Sequence, residues 1–174
     1  MRTFTRFAAI SFSIAVALIA SFLIFVFISS RPPKEHRIIS DFRAHRASYK
    51  RVRTMLLEDK DVVGVAPWGI QAEGSGLWKN PPDGGMPVAR YQEYLALLKE
   101  IGANRVGRGG GPLEISFGVW RSGFAADTRH VDVAWLEREP PNIVVSLDAF
   151  CRTDKPRHPS YVHIDDNWYI WADW

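Results

Sequence analysis

The hydrophobic pattern begins with one long apolar segment, and shorter apolar runs follow it. Residues 7–29 contain no charged residue, proline, asparagine or glutamine. A helix of that length spans about 34 Å, enough for a hydrocarbon core of about 30 Å. The alternative is a cleaved secretory signal, but the segment is longer than such signals and bulky Ile28 stands where a small residue precedes cleavage. The pattern predicts a transmembrane anchor over 1–30, which includes a short basic N-terminal tail.

The next stretch predicts a short linker and then a helix. Residues 31–39 combine basic residues with a Pro-Pro pair, which favours an extended backbone. One apolar stripe with spacings of 7, 3 and 4 residues then predicts a helix over about 40–58. The positions of this stripe are Phe42, Tyr49, Val52 and Leu56.

The remaining pattern predicts one more helix and then strands. A helix is expected over 87–101, with Gly102 as the residue that ends it. The glycine-rich segment 68–86 is interpreted as a loop. Strands are predicted at 61–67, 104–107, 113–121, 130–137, 143–150, 160–165 and 168–174. Helices early and strands late predict an α+β domain over 40–174, with two helices packed on a mainly antiparallel sheet of about five strands.

The C-terminal hairpin is the best-defined predicted element. A three-residue loop at 165–167, with Asn167 as the left-handed residue, separates two sets of side chains better than a two-residue loop. The first face would carry Val162, Ile164, Trp168, Ile170 and Trp174. The second face would carry Tyr161, His163, Tyr169 and Trp171.

Two stretches of the chain carry a resemblance to other proteins. The sequence MLLEDKDVV at 55–63 and the closing sequence HIDDNWYIW at 163–171 resemble uncharacterised bacterial proteins with one N-terminal membrane helix. The resemblance implies the anchored layout with a small α+β domain. It implies no activity.

Composition and charge limit the partners. The formal net charge is +3, but residues 31–60 hold nine basic and four acidic side chains, whereas 61–174 hold 11 basic and 15 acidic ones. A nucleic-acid binder would carry its positive charge on the folded domain, so no nucleic-acid partner is predicted. The basic region 31–53 is expected to meet anionic lipid headgroups, or else to form the solvated face of the first helix. One cysteine excludes a disulfide framework.

Two features of the sequence give opposite predictions for the side of the membrane on which the domain lies. The basic residues after the apolar segment favour a cytoplasmic domain by the positive-inside rule. However, long domains translocate largely regardless of their charge, whereas export of the charged six-residue N-terminal tail is unfavourable. We expect a single-pass protein of the cell membrane with an extracytoplasmic domain.

Two His-x-Asp pairs are the candidates for catalysis. His130 with Asp132, and His163 with Asp165, could each present an imidazole and a carboxylate on one face of a strand. Neighbouring strands would then allow a metal site or a general base. The alternative is that His130 and Asp132 occupy the outward, polar side of an ordinary strand. We predict no cofactor and no metal.

Tryptophan is unusually frequent in the region after the apolar segment, which contains all seven. Alternation places four aromatic residues on the second sheet face, where they could stack on a protein or carbohydrate partner. These candidate binding residues are Trp120, Tyr161, Tyr169 and Trp171. The alternative is that this face is covered and forms a second small core.

Three functions are compatible with these patterns. The first is a membrane-anchored, non-enzymatic α+β domain that binds or scaffolds through its aromatic face. The second is a small membrane-tethered hydrolase-like enzyme, which requires the two His-x-Asp pairs to converge within about 5 Å. The third is an accessory subunit of a membrane complex, for which the small residues Ala9, Ser13 and Ala17 supply a packing stripe.

Overall fold

The structure, a computed structural model, describes residues 16–21, 31–109, 114–122, 128–150 and 159–173. Residues 16–21 are helical, and the rest of the predicted anchor lies outside the described residues. Within the described part of the chain, no helix is long and apolar enough to cross a membrane. The chain divides into two units, residues 1–32 and 33–174, and the second contains the α+β domain.

The domain consists of helices on one antiparallel sheet. The helices are α1 (Glu35–Ala44), α2 (Arg46–Glu58), α3 (Val88–Glu100) and α4 (Leu147–Phe150). The strands are β1 (Val62–Ala66), β2 (Gly69–Ala72), β3 (Trp78–Lys79), β4 (Arg105–Arg108), β5 (Glu114–Ser122), β6 (Arg129–Leu136), β7 (Ser160–Asp165) and β8 (Trp168–Asp173). Their order in the sheet is β3-β2-β1-β4-β5-β6-β8-β7.

The predicted fold class is confirmed, but the strand number is not. The sheet has eight strands instead of about five: six of the seven predicted segments are strands, and segment 68–86, predicted to be a loop, contains β2 and β3. Gly69 makes this pairing possible, since its φ is 143° and a Cβ there would lie 2.6 Å from the backbone oxygen of Lys79. Segment 143–150 is not a strand: Ile143 forms a single parallel bridge with Tyr161, and α4 follows.

The first predicted helix is two helices, and the first of them begins inside the predicted linker. It starts at Glu35 because a distant segment caps it: the Glu35 amide donates to Asp148 Oδ1 (3.2 Å), and Glu35 Oε2 accepts from the Leu147 amide (2.7 Å). The break is one residue, His45, so the hydrophobic period continues across it. No local pattern in 31–39 predicts a contact with residues more than a hundred positions away.

The main core lies between the helices and one face of the sheet. The predicted stripe is confirmed, because all four of its side chains are at most 2% exposed. Phe42 and Tyr49 pack with Phe117 of β5 and Trp168 of β8, at ring-centroid distances from 5.0 to 5.9 Å. Such tilted and edge-on pairs contribute about 0.5–1.5 kcal/mol each beyond their buried area.

A charged network joins α2 to α3. Arg90 of α3 donates to Glu58 (2.7 Å) and to Asp59 (3.0 Å) at the end of α2. The Tyr94 hydroxyl also donates to Asp59 at 2.8 Å. The Arg90 and Asp59 side chains are only 20% and 25% exposed, so solvent screens their contact less than it would an isolated surface pair, whereas Glu58 is exposed.

In the C-terminal hairpin the side chains lie on the predicted faces, but the turn differs from the predicted one. Its loop has two residues, and the left-handed one is Asp166 (φ 46°), so the prediction of Asn167 is wrong. A bulge between His163 and Asp165 inserts one extra residue into β7. The bulge and the two-residue loop together place the side chains on the same two faces as a three-residue loop would. The remaining predicted member of the core-facing set, Trp174, lies outside the described residues.

Candidate functional site

The sheet face opposite the helices of the described residues, called the helix-free face below, carries a row of paired residues that crosses five strands. The row runs from β4 to β7 through Arg105, Gly118, Asp132, Trp171 and Tyr161. Directly paired residues project to the same face of a sheet. The alternate positions of these strands face the helices, so this row lies on the opposite side.

Gly118 allows Arg105 to reach Asp132 across β5. A Cβ at Gly118 would collide with the Oδ1 atom of Asn104 and would lie 2.9 Å from Cγ of Arg105. The bare backbone of Gly118 therefore gives the arginine stem its path. The Arg105 Nη2 atom then donates to Asp132 Oδ2 at 3.2 Å.

Asp132 is buried on this face. It is 1% exposed, so burial raises the pKa of its carboxyl, while Arg105, His130 and a hydrogen bond from Ser116 oppose that rise. Burial, together with the charge of Asp132, also raises the pKa of Glu114. The prediction that Asp132 lies on the side of the sheet away from the core is confirmed, but the prediction that this residue is exposed to solvent is wrong.

His130 presents a nitrogen with an unused hydrogen-bonding capacity. Its Nε2 atom is buried and has no hydrogen-bond partner among the described residues. The imidazole meets the indole of Trp171 edge-on, with ring centroids 4.7 Å apart. The indole Nε1 of Trp171 is likewise buried without a partner among the described residues. Buried polar atoms normally have a partner, so these two need an explanation.

A small cleft of about 40 Å³ opens beside these groups. It is lined by Trp68, Asn104, Arg105, Gly118, Trp120, Arg121, His130 and Asp132. Arg121 pairs opposite His130 and is exposed, and Trp68 is 55% exposed at the rim. The cleft therefore combines cationic groups and aromatic surface around one buried carboxylate. We call it the Asp132 cleft.

The two His-x-Asp pairs do not converge. Strand β8 lies between β6 and β7, which separates the pairs by about 10 Å at a strand spacing of about 4.8 Å. The bulge also turns Asp165 to the helix side, where it bonds Arg46 at 2.7 Å, so His163 and Asp165 do not share a face. The described residues contain no group of three His, Cys, Asp or Glu side chains arranged to hold a metal ion.

The four candidate aromatic residues are divided between two clusters. Tyr169 is 6% exposed and packs with Ala134 and Leu136 in a second small core, against which Tyr161 and Trp171 lie half-buried. Trp120 instead packs on the main core, because a bulge after Gly118 places it opposite Val131. The prediction of an open aromatic patch is therefore wrong, and the alternative, a second small core on this face, fits the structure.

A larger cleft lies at the junction of α2 and α3. It measures about 400 Å³ and is lined by residues 58–62 and 85–87. Two of its carboxylates, Glu58 and Asp59, already hold Arg90, so they stabilise the contact between the helices. The Asp132 cleft is the better candidate because two arginines and the exposed Trp68 line it around one buried carboxylate.

Several residues of the cleft were not predicted. Arg105, Arg121, Asn104 and Trp68 carry no signal that distinguishes them from ordinary surface residues. Gly118 does carry one, since glycine inside a strand marks a bulge or a close approach by another group. Its position, however, does not identify the group that approaches.

No known protein family, curated protein or solved structure matches the chain.

Proposed function

We propose that the protein is a single-pass membrane protein whose α+β domain is a non-enzymatic binding module. In this proposal the helix-free face receives the ligand at the Asp132 cleft. The observation that carries the proposal is the lining of the cleft, in which Arg105, Arg121 and the 55% exposed Trp68 surround the buried Asp132.

The anchor part of the proposal rests on the uncharged segment 7–29. The basic region that follows it supports contact with anionic headgroups, although three of its arginines serve the domain itself. Arg46 bonds Asp165, Arg51 bonds Glu93 at 2.8 Å, and Arg53 lies 3.7 Å from the ring centre of Trp135. Further exposed cations of this region are Lys34, Arg43 and Lys50, and Arg37 is exposed 3.9 Å from Asp41. Each would contribute about 1 kcal/mol near an anionic surface.

The binding part of the proposal is favoured over the two other functions considered. The hydrolase-like function required four side chains to meet, and β8 separates them. The accessory-subunit function depends on a stripe of small residues, of which Ala9 and Ser13 lie outside the described residues. It stays a prediction.

The membrane part is tested by fractionation. Full-length protein is expected in the carbonate-resistant membrane fraction, and protease added to intact cells should digest the domain if it is extracytoplasmic. Recovery of the intact full-length chain in the aqueous fraction would refute the anchor. A domain resistant to external protease, but digested after the membrane is permeabilised, would place it on the cytoplasmic side.

The binding part is tested with defined arrays. Full-length protein in detergent is applied to an array of neutral and acidic oligosaccharides and to peptides with free or amidated C-termini. Binding should be lost in Trp68→Ala, which removes a rim residue of the Asp132 cleft, and kept in Leu77→Ala. Leu77 is a matched control because it is also apolar and 71% exposed but does not line the cleft. Equal binding by both variants would place the ligand elsewhere, and no binding to either array would refute the module.

A further inference from the structure

The Asp132 cleft carries more positive than negative charge. Arg105 and Arg121 contribute two guanidinium groups, whereas Asp132 is the carboxylate that lines it. That carboxylate is 1% exposed and is bonded to Arg105, so an entering group meets the cations first. The Arg105 side chain is 33% exposed and uses Nη2 for Asp132, which leaves other donors of its five N–H groups for a ligand.

The volume of the cleft limits the group that enters it. One water requires about 10–15 Å³ of such volume, so about 40 Å³ holds about three or four heavy atoms. A sugar ring, a nucleobase or an aromatic side chain does not fit. A carboxylate with its neighbouring carbon does fit.

We infer that the Asp132 cleft binds a carboxylate group of the ligand, with Arg105 and Arg121 as its cationic partners. This inference deepens the proposed binding function and rests on it. A planar carboxylate accepts two parallel hydrogen bonds from a guanidinium group, which a neutral amide cannot do in the same way. Trp68 at the rim then contacts the part of the ligand that remains outside.

The inference is tested by titrating the full-length protein, in detergent micelles, with sodium acetate. Nitrogen-15 NMR follows the imidazole of His130 and the indole N–H of Trp171. Acetate is expected to shift both signals saturably, with a dissociation constant in the millimolar range. Acetamide has the same size without the charge, and inorganic phosphate has charge with a tetrahedral shape. Neither should reproduce the effect at equal ionic strength.

Variants identify the site of the effect. Arg121→Gln should weaken acetate binding about tenfold, since a hydrogen bond to a charged group is lost. The matched control is Arg43→Gln, because Arg43 is an exposed arginine on α1, outside the cleft, and this variant should bind acetate as the wild type does. Arg121 is exposed, so its replacement is not expected to unfold the domain.

Three results would overturn the inference. They are an equal response to acetamide, tighter binding of phosphate than of acetate, and the absence of any saturable acetate shift. The arrays distinguish this failure from a failure of the proposed function. If neutral ligands bind to the wild type but not to Trp68→Ala, the binding module stands and only the carboxylate assignment falls.

Discussion

Gly118→Ala is expected to disrupt the Asp132 cleft by displacing Arg105. The new Cβ would collide with Asn104 Oδ1 and lie 2.9 Å from Arg105 Cγ and 3.2 Å from Arg105 Nε. The Asn104 side chain is exposed and can turn aside, but the arginine stem must leave its path over β5. The guanidinium group then loses Asp132, which stays buried in the sheet.

The magnitude follows from the burial of the two partners. Removal of one member of a fully buried ion pair costs about 3–5 kcal/mol, because the other charge remains unpaired. Here Asp132 is 1% exposed but the Arg105 side chain is 33% exposed, so solvent screens part of the interaction. We expect a loss of about 1–3 kcal/mol. For a domain of this size the melting temperature should fall by about 3–9 °C.

The assay is thermal unfolding of full-length protein in detergent, followed by near-ultraviolet circular dichroism. The control is Gly76→Ala, because a Cβ at Gly76 meets nothing within 4 Å and its backbone is not left-handed. It should melt within about 0.5 kcal/mol of the wild type. Gly118→Ala combined with Asn104→Gly should recover only part of the loss, because the contact with the Arg105 stem remains.

A second measurement separates this cause from general strain. Arg105 holds the pKa of Asp132 below the value that burial alone would produce. Gly118→Ala should therefore raise the pKa of the Asp132 carboxyl further, as read by carbon-13 NMR. If the variant melts like Gly76→Ala and the pKa of Asp132 does not move, the reasoning about this glycine is refuted.

Three further predictions concern stability. Deletion of 168–174 removes β8, which pairs with both β6 and β7, so near-ultraviolet circular dichroism should show no cooperative unfolding; a cooperative transition would contradict this. Arg90→Met removes the links to Glu58 and Asp59 and should destabilise the domain by about 1–2 kcal/mol in a thermal melt, whereas an unchanged melt would show that the network contributes nothing. Burial raises the folded-state pKa of Asp132 above its ordinary value of 3.8, so the folded state binds this proton more tightly. As pH rises from 3.8 through the raised pKa, the unfolding free energy of the wild type should therefore fall relative to that of Asp132→Asn. Urea titrations at a series of pH values measure both free energies, and an equal dependence on pH in the two proteins would refute this.

The local elements were largely predictable because their patterns are local. The stripe from Phe42 to Leu56 is buried as predicted, and Gly102 has the positive φ (67°) expected after a helix. The failures occurred where distant residues decide the outcome. The start of α1 at Glu35 depends on Leu147 and Asp148, which no periodicity in the first helix can reveal.

The candidate site was predictable only in part. Alternation correctly placed His130 and Asp132 on the face opposite Val131 and Val133. It could not show that Asp132 is buried, since burial depends on the elements that pack on that face. Alternation also failed at bulges, where one extra residue changes the face of the side chains next to it. The bulges placed Asp165 beside Arg46, and they placed Trp120 opposite Val131, where it packs on the main core and also lines the Asp132 cleft.

Residue spacing and the free energy of transfer from water were enough to predict the α+β class, the core-facing stripes and the apolar segment 7–29. They could not predict that Arg105 crosses Gly118 to reach Asp132, or that His130 keeps a buried nitrogen without a partner among the described residues. The physical reason is that the cleft joins segments from β4, β5 and β6 with the β1–β2 turn. Strand register creates that proximity, and the register is set by bulges and by packing across the whole sheet.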